Sequence, residues 1–137
     1  MRNAILAGAI AGAISDISAV ASAYVFGNLG AFTAPGGSME LWTPSMFMLL
    51  GVAHLSLDII WGMIGGVAFS YLYNLIPGKD TMKGLTFGLS IWVIKDVAAG
   101  SYLALTMMEV DSAIILIICG FFMWIVYGAV LGRLYKK

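Results

Sequence analysis

Between His54 and Tyr73 the chain reads HLSLDIIWGMIGGVAFSYLY, twenty residues holding one carboxylate and no lysine or arginine. A stretch of about 20 mostly apolar residues matches the ~30 Å hydrocarbon core of a bilayer when wound as an α-helix. Inside lipid the backbone finds no partner but its own helix, so this geometry is the one open to it. His54, Asp58, Gly62 and Gly66 recur every four residues and share one stripe of that helix. A carboxylate at the centre of a span costs roughly 2.5–3.5 kcal/mol even on the lenient insertion scale. Asp58 therefore demands a partner.

Composition extends the same constraint to the whole chain. Of 137 residues, 61% are hydrophobic and 10% charged, against about 25% charged in soluble domains. The net charge of zero argues against nucleic acid as a partner and points to the lipid bilayer. The single Cys119 lies in IILIICGFF and reads as a small hydrophobe.

Four spans are expected, over residues 4–26, 45–74, 84–106 and 112–131, forming one transmembrane domain over residues 1–137. Ala21-Ser22-Ala23 imitates a signal-peptidase site, but Asp16 would interrupt the apolar region of such a signal. Residues 27–44 carry Pro35, Pro44 and several glycines and read as a loop, with Leu41 and Trp42 as an interfacial anchor. Pro77-Gly78 opens a polar turn, PGKDTMK. Arg2, Lys79, Lys83, Arg133, Lys136 and Lys137 fall on the side of both termini; the other side has Glu40, Glu109 and Asp111 and no basic residue. The positive-inside rule puts both termini in the cytoplasm of a multi-pass cell-membrane protein.

Small residues recur at four-residue spacing as Gly8 and Gly12, Gly62 and Gly66, Gly84 and Gly88, and Gly128 and Gly132. Such stripes let helix backbones approach closely, and packing of this kind joins helices in lipid. Gly8-Gly12-Asp16 is echoed by Gly84-Gly88 followed by Asp96, a faint repeat between helices that would both rise from the cytoplasm.

Counted from the expected helix ends, Asp16, Asp58, Lys95 and Asp96 lie near the midplane, with His54 one turn outward of Asp58. Each must face the bundle interior or a hydrated cavity. Lys95 pairing with Asp16 or Asp58 would make a structural network. Three carboxylates against one ammonium leave surplus acid, as a proton or cation pathway requires. Whether His54 and Asp58, at i and i+4, also bind a metal is left open. Trp61 and Trp92, the deeper tryptophans, are candidate cavity walls. No nucleotide loop, nucleophile elbow, HExxH or CxxC occurs; no catalytic residue and no cofactor is assigned.

The segment from Gly51 to Trp92 carries His54, Gly62-x-x-x-Gly66, an aromatic-rich helix end, Pro77, Lys83-Gly84-x-x-x-Gly88 and Ile91-Trp92. It resembles small four-helix inner-membrane proteins of the YagU-like type. The resemblance covers about a third of the chain and implies four spans without an assigned activity.

The expectation is an all-α, four-span bundle acting as an oligomeric transporter or channel for a cation or proton-linked solute. Asp16, Asp58 and Asp96 would be charge carriers, Lys95 their counter-ion and His54 a relay. The alternatives are an accessory subunit of a larger membrane complex, its charges pinning the helices, and an intramembrane enzyme or cofactor binder acting on lipid or quinone.

Overall fold

The computed structural model describes residues 1–28, 44–106 and 110–135, and these are all helical or in short connections. The helices are α1 (Arg2–Asn28), α2 (Pro44–Leu72), α3 (Asp80–Trp92), α4 (Ala98–Thr106) and α5 (Val110–Leu134). A π-helical turn, Val93–Val97, fuses α3 and α4 into one rod, so the molecule is built from four rods. Three segments are long and apolar enough to cross a membrane: Val52–Leu72, Asp80–Thr106 and Leu116–Leu134. The proposed interfacial residues Leu41 and Trp42, with Glu40, Glu109, Lys136 and Lys137, lie outside the described residues.

Each chain-consecutive hairpin is closed by glycines. In the first, a Cβ built on Gly8 or Gly12 would collide with the carbonyl of Gly62 or Asp58, and one on Gly66 with the carbonyl of Ala4. In the second, Gly84 abuts the Gly128 carbonyl and Gly88 the Trp124 carbonyl, while Gly132 lies against Asp80, Thr81 and Gly84. Both crossings are backbone against backbone. Both are antiparallel, as the pairing of rising with falling residue numbers requires.

The hairpins join in the middle, where α1 packs on α5. A second small-residue face of α1, Ala4, Ala7 and Ala11, is buried in one cluster with Tyr127 and Leu131 of α5. The Tyr127 hydroxyl donates to the Gly62 carbonyl at 3.0 Å, hooking α5 onto α2; a Cβ on Gly65 would strike that same hydroxyl. At the end near the 73–80 connection, Phe69 stacks at 5.2 Å on Phe87 and 5.5 Å on Tyr135. Rings thus close the gap that α2 and α3 leave.

Two expectations are corrected. The third helix begins at Asp80, not residue 84, so half of PGKDTMK is helical. Gly78, at φ 100°, reverses the chain within two residues, and Lys79 is extended (φ −123°, ψ 142°) as the N-cap. Asp80 then sets a carboxylate in the first turn, where the helix dipole favours it. It also accepts a 3.3 Å hydrogen bond from the Tyr73 hydroxyl. Lys83 donates to the Tyr73 carbonyl at the end of α2, its ammonium 4.3 Å from the centre of the Tyr73 ring.

The second correction is the π turn. With 3.6 residues per turn, a stripe spaced every four residues drifts about 40° per step around the helix. Residues 84, 88, 92, 96 and 100 would wander off α5 over four steps. A wider turn at Val93–Val97 takes back much of that drift. Asp96 and Gly100 consequently still face α5, against Gly120 and Ile117.

Candidate functional site

The first crossing continues outward into chemistry. Gly8 meets Gly62 and Gly66, Gly12 meets Asp58 and Gly62, and one four-residue step further Asp16 meets His54. The His54 Nδ1 lies 2.7 Å from Asp16 Oδ1. A carboxylate only accepts when ionised, so Nδ1 is the donor of this bond. The same Nδ1 is 3.5 Å from Asp58 Oδ2, and the side chains of Asp16, His54 and Asp58 are 9%, 62% and 21% exposed. Asp58 Oδ2 itself has under 1 Å² of accessible surface and no hydrogen-bond donor. One donor atom from each of the three residues lies within 4.8 Å of the other two. The cluster thus presents two carboxylates from different helices to one imidazole, which is open on its far side.

The stripe explains why these three converge. On α2, His54 and Asp58 are one and two steps above Gly62; on α1, Asp16 is one step above Gly12. Because the glycines let the backbones touch, side chains one turn away are brought to bonding distance.

Asp96 sits elsewhere. It is 4% exposed and buried against α5, where Trp124 Nε1 donates to its Oδ2 at 2.7 Å and Gly120 leaves room for the carboxylate. Lys95, the next residue, is exposed, and its ammonium lies 5.2 Å from the centre of the Trp124 ring. Among the described residues no ion pair joins Lys95 to any carboxylate; the pairing with Asp16 or Asp58 is not formed. Consecutive residues on a helix point about 100° apart, and the π turn directs Asp96 onto α5, leaving Lys95 outside.

The tryptophan expectation also changes. Trp61 is 64% exposed and turned outward. Trp92 is spent on packing: its Nε1 donates to the Ile117 carbonyl at 2.9 Å, and its ring meets Phe121 edge-on at 5.1 Å. The tryptophan beside the charged residues is Trp124, which the sequence reading passed over. Its signal was its place in Gly120-Trp124-Gly128-Gly132, a four-residue stripe like that of α2. Tyr127 was missed for a different reason, since its role depends on which helices touch.

Comparison with protein-family models, with curated proteins and with solved structures returns no match.

Proposed function

We propose that the chain is a four-span membrane protein, with both termini cytoplasmic, that moves a cation or a proton-linked solute through the Asp16–His54–Asp58 cluster. The observation that carries this reading is two carboxylates meeting one imidazole while Lys95 stays apart. A dry structural network would have used the one ammonium near this depth to neutralise them. Here the acid remains in surplus beside a histidine that is open to its surroundings, an arrangement suited to binding and releasing a positive charge.

Support for four spans comes from α1, which is 27 residues long with Arg2 and Asp16 as its charged residues. It is packed along α2, the most direct neighbour for a spanning helix. His54 and Lys95 are both exposed within apolar rods, and lipid tails are poor company for either. A second copy or a hydrated seam between copies is the environment we assign to them.

Reconstitution into proteoliposomes tests the function directly. A panel of monovalent and divalent ions, with and without a pH gradient, should give flux that Asp58→Asn abolishes while the protein stays folded. Full flux in that variant, or none in the wild type under every gradient, sinks the reading. Orientation is tested separately, by impermeant-thiol labelling of single cysteines at positions 36 and 79 in intact cells. Labelling at 36 alone is expected.

The accessory-subunit reading has one observation in its favour. Asp96, satisfied by Trp124 and shut from solvent, is a structural pin, and it belongs to the second hairpin only.

A further inference from the structure

We propose that Asp16, His54 and Asp58 form a site for one divalent transition-metal ion, bound through His54 Nδ1 and a carboxylate oxygen from each aspartate. The proposal deepens the cation reading above, and rests on it for what the site is used for, though not for whether it binds.

Three observations point to a metal ion. The donors come from two helices fixed by a crossing of bare backbones, and all lie within 4.8 Å of one another. An ion at ~2.0–2.2 Å from nitrogen and oxygen ligands needs such spacing with little rearrangement. Next, Asp58 Oδ2 is sealed from solvent, directed at the imidazole 3.5 Å away, and receives no hydrogen bond. A buried acceptor left without a partner is costly, and a cation supplies what it lacks.

Charge arithmetic is the third. Two carboxylates and a neutral imidazole carry −2, and among the described residues no lysine or arginine forms an ion pair with either acid. A divalent ion brings the cluster to zero. The Asp16 carboxylate is also close enough to Asp58 to share a proton, which is the competing way to lower the charge.

The second hairpin shows that these residues are not needed to build the crossing. At the matching depth it places Gly120 and Trp124 where the first has His54 and Asp58. The glycines close both crossings alike, so the imidazole and the second carboxylate are additions to the scaffold.

Donor chemistry selects the ion. One nitrogen and two carboxylates suit Zn²⁺, Fe²⁺, Mn²⁺ or Co²⁺. Ca²⁺ requires six to eight oxygens and Mg²⁺ a largely hydrated octahedron, so both are disfavoured. Three protein ligands leave one or more positions open, on the side where His54 is exposed.

The test is Co²⁺ titration of the full-length chain in detergent, without a histidine tag and in a Cys119→Ser background that removes the one thiol. Visible d–d absorption and calorimetry should both give one ion per chain, retained in excess Mg²⁺. His54→Ala and Asp58→Asn should each weaken binding by about 100-fold or more, whereas Asp80→Asn, at the far end of α3, should not. If His54→Ala does not fold, His54→Gln keeps a donor for Asp16 and should lose Co²⁺ equally. Folded protein that binds no Co²⁺, or binding indifferent to His54 and Asp58, overturns the proposal; the first result identifies a shared proton instead. Proton flux without Co²⁺ binding would remove the metal and keep the transport function. Co²⁺ binding without any flux would do the reverse.

Discussion

The two hairpins are variations on one plan, and they finish it differently. In register, Gly8-Gly12 matches Gly84-Gly88, and His54-Asp58-Gly62-Gly66 matches Gly120-Trp124-Gly128-Gly132. Both crossings are closed by glycine against carbonyl. Above the crossing the second hairpin is complete: Asp96 fills the space over Gly120 and takes the Trp124 proton. The first ends in three polar side chains whose needs are unequal to what they offer one another. The same scaffold serves in one place as a closed joint and in the other as a holder for charge. Glycine therefore accounts for the architecture, and the residues one step beyond it for the chemistry.

The comparison breaks most visibly if either crossing tolerates bulk. Gly66→Leu and Gly84→Leu should each cost at or above the upper end of the roughly 1–3 kcal/mol seen for overpacking, because backbone rather than a side chain must move. Denaturant titration in detergent reads this, and an unchanged midpoint for one of them would mean that only the other hairpin is glycine-closed.

The two acids should then separate. Asp96→Ala orphans a buried indole N–H and should destabilise by about 1–3 kcal/mol, with a shift in tryptophan emission. Asp58→Asn keeps the shape and relieves the meeting of two carboxylates, so stability should change by about 1 kcal/mol or less. Equal losses from both would erase the distinction between joint and holder.

Tyr127→Phe, which removes the 3.0 Å bond from α5 to Gly62, should cost about 0.5–1.5 kcal/mol. It weakens the connection between hairpins without touching either crossing. The smallest effect is expected of Lys95→Met. Only a ring contact at 5.2 Å is lost, worth about 0.5–1 kcal/mol at an exposed site. A larger drop would show that Lys95 neutralises one of the acids after all.

Much of the first hairpin could be read from residue spacing. Four-residue stripes state which faces meet, and polar residues continuing a stripe must meet too, so Asp16, His54 and Asp58 were legible as a set. Asp96 and Lys95 were not, because their directions depend on a π turn, and VIKDV contains no glycine or proline to announce one. The start of α3 was hidden by PGKDTMK, whose polarity is that of a loop and also of a first helical turn. The packing of α1 on α5 was obscured by alanine. Ala4, Ala7 and Ala11 are the same size as a dozen neighbours, and only the rods' arrangement shows which of them are buried.

A crossing made of touching backbones also behaves mechanically as a pin. Sliding one helix along the other would drive carbonyls into Cα atoms at Gly8, Gly12, Gly62 and Gly66, so the remaining freedom is a scissor-like swing about the point of contact. His54 is eight residues from Gly62, a lever arm of about 12 Å, so each degree of swing moves it only about 0.2 Å. Pro44, at the outer end of α2, has an arm of about 27 Å and travels more than twice as far. Motion is thus geared: the outer ends of the hairpin can open and close on their surroundings while the charged cluster, close to the pivot, keeps its shape.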